Sequence, residues 1–140
     1  MLFPVEALTR VAKTPGATAG PGASGPSAAD PGASPAASAR GEACLPASWA
    51  GFAGHFPGRP VVPAYVLLGL VRAVAAVACG EEAAIASVER VKLTRPVGPD
   101  ETITCAVAVE PRGALSAVRA QLSVAAGPVG TVSLSIRVGR

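Results

Sequence analysis

The residues able to do chemistry gather in one short stretch, Gly54-His55-Phe56-Pro57-Gly58-Arg59-Pro60-Val61-Val62-Pro63. It holds the only histidine of the 140-residue chain, and an imidazole near its ordinary pKa of about 6.5 can both take and return a proton at neutral pH. Phe56, Arg59 and Val62 each precede a proline and are biased toward extended backbone. Pro57, Pro60 and Pro63 hold their own φ, so the loop has little conformational freedom to lose on folding. A titratable side chain on a stiff loop beside a helix start has the pattern of an arranged site.

The element that must position this loop follows it directly. Pro63 suits the first turn of a helix, where its missing N–H has no partner to lose. From Ala64 to Cys79 the sequence is apolar nearly all round, which predicts a helix of about 24 Å that other structure has to wrap. Gly80 supplies the stop. The period then changes from 3.6 to 2. Val91 and Leu93 open the pattern; Ile103 to Val109, Val118 to Val124 and Val132 to Val138 follow, apolar at every second position. Such strands build an antiparallel sheet covered on one face. Pro96-Val97-Gly98-Pro99-Asp100, Pro111-Arg112-Gly113 and Gly127-Pro128 carry turn chemistry, and the short connections predict a meander of neighbours. The expected class is α+β, a curved antiparallel sheet around one long central helix.

The N-terminal part reads differently. Leu2 to Lys13 has only a weak pattern, and Thr14 to Arg40 is almost wholly Ala, Gly, Pro, Ser and Thr with no large apolar side chain. Nothing there offsets the entropy of ordering, which predicts a flexible linker over 14–40 inside an N-terminal segment 1–41, and one folded domain over 42–140. Cys44 and Leu45, then Trp49 and Phe52, read as an irregular first strand leading to His55, with Trp49 a core residue.

Composition excludes several classes. A net charge of +3 spread along alternating strands is no nucleic-acid footprint. Cys44, Cys79 and Cys105 are odd in number and widely spaced, so neither a disulfide framework nor a zinc site is expected, and no metal. The N-terminus lacks the pattern of a signal peptide. Arg72 and Pro63 argue against reading 61–78 as a membrane span, so a cytoplasmic location is expected.

The stretch Gly54–Pro63 resembles the active-site signature of hot-dog-fold 3-hydroxyacyl-[acyl-carrier-protein] dehydratases, the FabZ/FabA-like group. It is also similar to the smaller dehydratase-like proteins of aryl-polyene and related polyketide clusters. Val91-Lys92-Leu93-Thr94-Arg95-Pro96-Val97 is similar to that family's strand leading into a proline-rich turn, and the resemblance runs from Glu42 to Val138. It implies a lyase of fatty-acid or polyketide biosynthesis. It further implies a hot-dog dimer with sites at the interface, no cofactor, and a substrate carried on the phosphopantetheine of an acyl carrier protein. His55 is then the catalytic base; Phe56, Gly58, Pro63, Ala64 and Tyr65 line the site, and Arg59 contacts the carrier protein.

One element of that pattern is missing. The helix carboxylate belongs fourteen residues after the histidine, where this chain has Gly69, and the glycine after the last proline of the signature is replaced by Ala64. Glycine inside a helix costs about 1 kcal/mol against alanine, so helix stability does not account for it. Glu81, Glu82 and Glu89 are no evident replacements, and Tyr65, one turn before Gly69, is a second-choice proton donor. Three readings stay open: a dehydratase subunit completed by the acid of another hot-dog chain, a self-sufficient homodimeric dehydratase, and a non-catalytic acyl-thioester-binding or structural subunit.

Overall fold

A computed structural model describes residues 8–13, 37–49, 52 and 60–139. Their elements run β1 (Leu8–Lys13), β2 (Ala37–Cys44), α1 (Ala64–Cys79), β3 (Ala83–Leu93), β4 (Thr102–Arg112), β5 (Leu115–Val124) and β6 (Gly127–Val138). The strands form one antiparallel sheet in the order β1-β2-β4-β5-β6-β3. The helix lies against its inner face.

The alternating residues account for that face. Ile103, Cys105, Val107 and Val109 on β4, Val118, Ala120, Leu122 and Val124 on β5, and Val132, Leu134 and Ile136 on β6 are all buried. They meet the helix stripe Val66, Leu67, Leu70, Val71, Val74, Ala75 and Ala78. Burying a Leu, Val or Ile contributes roughly 1.5–3 kcal/mol per side chain, so this single contact surface dominates the stability of the domain. Gly80 closes the helix at φ 74°, its N–H donating to the carbonyls of Ala76 and Val77.

Three expectations are corrected. First, β2 begins at Ala37, so the sheet takes in residues that composition assigned to the linker. Ala39, Gly41 and Ala43 face the helix, and a Cβ on Gly41 would stand 2.8 Å from Val74 Cγ2. Small residues here admit the helix rather than signal disorder, and β1, whose pattern was weak, pairs along β2. Second, β2 ends at Cys44, and Trp49, whose N–H donates to the Pro46 carbonyl, follows in a turn and not in an irregular strand. Third, β3 starts at Ala83, well before Val91, and pairs with β6 at the far edge instead of with its sequence neighbour β4. Only β4, β5 and β6 form the meander. The sheet packs on one long helix as expected of the fold class, and one stripe of that helix is less covered than the rest. Tyr65 is exposed and Leu68, Gly69, Arg72, Ala73 and Ala76 are half-buried.

Gly130 of β6 marks the tightest strand contact. A Cβ there would collide with the carbonyl oxygen of Lys92 and stand 2.9 Å from Leu93 Cα. Backbone cannot swing aside as a side-chain tip can, so Gly130→Ala is expected to destabilise the fold by about 1–3 kcal/mol in denaturant unfolding.

Burial also acts on Cys105, whose thiol is pushed up from 9.0 to about 12 by desolvation of the thiolate. In the unfolded chain this thiol loses its proton from about pH 9, whereas the folded chain keeps it until about pH 12. Its contribution is therefore intact below pH 9 and is lost as pH rises through that window. The unfolding free energy of Cys105→Ala is expected to fall less steeply between pH 9 and 11 than that of the parent, measured by denaturant titration at each pH.

Candidate active site

Residues 53–59 lie outside the described residues, and with them His55, Phe56, Gly58 and Arg59. The structure does describe how the rest of the stretch is held. The N–H of Val62 donates to the carbonyl of Val97 at 2.7 Å, and both side chains are buried. The two segments that carry the family resemblance, the proline-rich stretch and the strand with its proline-rich turn, are thus joined directly.

The turn is itself braced. Gly98 N–H donates to Glu101 Oε1 at 2.8 Å. Asp100 takes the left-handed conformation at φ 65°, and its N–H donates to the Leu45 carbonyl at 2.7 Å. A Cβ on Gly98 would lie 3.8 Å from the Pro60 carbonyl, so this turn packs on the stretch itself. Earlier in the chain, Trp49 and Phe52 meet edge to face, centroids 5.2 Å apart at 87°. Phe52 is buried and Trp49 packs against the core, as expected of it. The described end of the stretch, Pro60 to Val62, is therefore anchored on the turn at Val97 and Gly98.

Pro63 is the N-cap of α1, with φ −66° and ψ 150° and no side-chain hydrogen bond to the first turn. Its carbonyl accepts from the N–H groups of Val66 and Leu67 at 3.0 and 3.4 Å. No acidic residue occupies the first turn, so the positive end of the helix dipole carries no compensating carboxylate of its own there. Ala64 and Tyr65 are exposed at this end, Tyr65 by 42%.

Tyr65 and Gly69 are four residues apart on one helix stripe and both border the uncovered side. Arg72, next along it, donates from Nη1 to the Ala83 carbonyl at 3.3 Å. This ties the helix to the start of β3. Glu89 accepts from the hydroxyls of Ser87 and Ser135 at 2.6 and 3.0 Å. Glu101, a carboxylate in the turn that braces Pro60, escaped the sequence reading. The acid three residues after a turn glycine was its one signal.

A single helix against the inner face of a six-stranded antiparallel sheet, with a proline-rich loop entering the helix, defines a hot-dog-fold protein. The family model of ApeI-like proteins, described as ApeI dehydratase, matches residues 33–126, and the chain belongs to that family. No curated protein matches it. Among solved structures it is similar to the dehydratase heterocomplex ApeI:P from Xenorhabdus doucetiae, at 19% identity over 71% of this chain and 87% of that one, TM-score 0.62. It is similar also to the E. coli PaaI protein from the phenylacetic acid degradation operon, at 16% identity over 72% of each chain, TM-score 0.57. A mutant of the fluoroacetyl-CoA-specific thioesterase FlK is 14% identical over 71% of this chain and 82% of that one, TM-score 0.60. At these identities the likeness is one of fold. Among the described residues no helix is long and apolar enough to cross a membrane.

Removing the Glu101 carboxylate frees the Gly98 N–H and loosens the turn on which Pro60 rests. A hydrogen bond to a charged group contributes about 1.5–3 kcal/mol. Glu101→Ala is expected to lose that order of stability, and Glu101→Gln, whose amide oxygen still accepts, markedly less, both read from denaturant midpoints.

Proposed function

We propose that this chain is the base-bearing subunit of a two-chain hot-dog dehydratase that removes water from a 3-hydroxyacyl thioester carried by an acyl carrier protein. The observation that carries the reading is the bare helix stripe. Tyr65, Leu68 and Gly69 are incompletely covered, and Gly69 stands where the resemblance requires a carboxylate. Beside it, β3 turns Val88, Val91 and Leu93 to the inner side, opposite Leu134, Val132 and Gly130. All three are exposed, at 44, 40 and 38%. An apolar strip on an edge strand invites a further chain, and the similar ApeI:P assembly is a dehydratase heterocomplex.

In this reading His55 takes the proton from the carbon next to the thioester carbonyl. The charge that develops on the carbonyl oxygen is met by backbone N–H groups and by the α1 N-terminus, which carries no acidic residue of its own. The hydroxyl on the next carbon leaves as the carbon–carbon double bond forms, and it is protonated to water by a carboxyl from the other chain. Phe56, Gly58, Pro63, Ala64 and Tyr65 border the acyl chain, and Arg59 meets the carrier. No cofactor takes part.

The test is loss of water from a 3-hydroxyacyl-carrier protein, followed by mass, with the chain alone and with an acid-bearing hot-dog subunit. Turnover with the partner, lowered about 10²–10⁴-fold by His55→Ala, is expected, together with gain of activity by the isolated Gly69→Glu protein. Val88→Lys with Val91→Lys is expected to reduce assembly, read as solution mass, while leaving the subunit folded. Full turnover alone overturns the partner requirement. Thioester binding without turnover in every combination favours the non-catalytic reading.

A further inference from the structure

The outer face of the sheet, away from the helix, carries a trough that the proposed chemistry does not use. A hollow of about 740 Å3 is lined by Arg90 and Lys92 of β3, Arg119 and Gln121 of β5, Thr131 and Ser133 of β6 and the Glu110–Arg112 pair of β4, with alanines among them, so cations outnumber carboxylates four to one. A second hollow of about 420 Å3 shares Lys92, Gln121 and Thr131 and lengthens it. Register explains the arrangement. Ser133 pairs with Arg90 on one side and Arg119 on the other, and Thr131 pairs likewise with Lys92 and Gln121. At about 4.8 Å per strand step, Arg90 and Arg119 rise about 10 Å apart over a floor of small residues.

Arg90, Lys92 and Arg119 have no partner of opposite charge among the described residues. Glu110 is engaged with Arg112 at 3.2 Å, and Glu89 is held by the hydroxyls of Ser87 and Ser135. Like charges gathered on one sheet face work against the fold, so an external anion would relieve them. The lining argues against two candidate anions. No buried polar side chain converges on one point, as a small-anion site requires. No aromatic ring lies among the residues of either hollow, and base stacking on single-stranded nucleic acid needs one. An elongated, predominantly cationic trough with small residues on its floor matches a helix that carries carboxylates along one flank.

We propose that the trough formed by Arg90, Lys92 and Arg119 is a docking surface for an acidic α-helix of a partner protein. It lies on the face opposite α1 and is independent of the dehydratase reading.

The probe is a labelled Glu-rich helical peptide titrated against the full chain at low salt, with a Lys-rich peptide of equal length as its counterpart. Two doubly charge-reversed variants carry the test. Arg90→Glu with Arg119→Glu alters the trough; Arg10→Glu with Arg137→Glu changes net charge equally outside it. The expected result is binding of the acidic peptide, weakened about tenfold or more by the trough variant and less than threefold by the control, with both variants folded by circular dichroism. Equal weakening by both overturns the site in favour of net charge alone. Absence of binding overturns it, as does tighter trough-dependent binding of a single-stranded oligonucleotide or of phosphatidylserine vesicles.

Discussion

Packing of α1 against the inner sheet face is the constraint on which the rest depends. Val66, Leu70, Val71, Val74 and Ala75 reach essentially zero exposure only because four strands present their alternate residues to one helix stripe. The same contact fixes the direction of the helix and hence the place of its N-terminus. Pro63 caps the helix, and Val62 just before it is bonded to Val97. Core packing and site position are thus one interaction seen at its two ends.

That arrangement leaves the domain unfinished on one side. A sixteen-residue helix that is apolar nearly all round cannot be covered by a single concave sheet. The stripe through Tyr65, Leu68 and Gly69 and the inner strip of β3 remain open to water. The proposed two-chain site follows from this physical shortfall as much as from the missing carboxylate. Covering the open surface and supplying an acid to the site are tasks one partner performs together. The opposite face of the sheet is polar with an excess of cations, so the two proposed partners would not compete for one surface.

Legibility varied with how strongly a residue reports its surroundings. The helix limits, its glycine stop and the three meander strands could be read because large apolar side chains at period 3.6 or 2 have few alternatives. β2 could not, because Ala39, Gly41 and Ala43 are small in order to let Val74 approach, and small residues look the same in a linker. β3 escaped over most of its length for a related reason. Beyond Ile85 its inner residues Val88, Val91 and Leu93 are not covered within this chain, so its pattern is not that of a half-buried strand.

What the sequence determined unaided is the inventory of the proposed site: one histidine in a proline-rich stretch, a helix start just beyond it, and glycine where the resemblance implies a carboxylate. These are local facts of residue type and spacing. Only the tertiary structure decided that Val62 is pinned by Val97, that Glu101 braces the turn beneath Pro60, that β3 crosses to the far edge, and that Arg90 and Arg119 flank one serine. Each of these joins residues far apart in the chain. Such pairings depend on how the sheet closes around the helix, which no local pattern encodes.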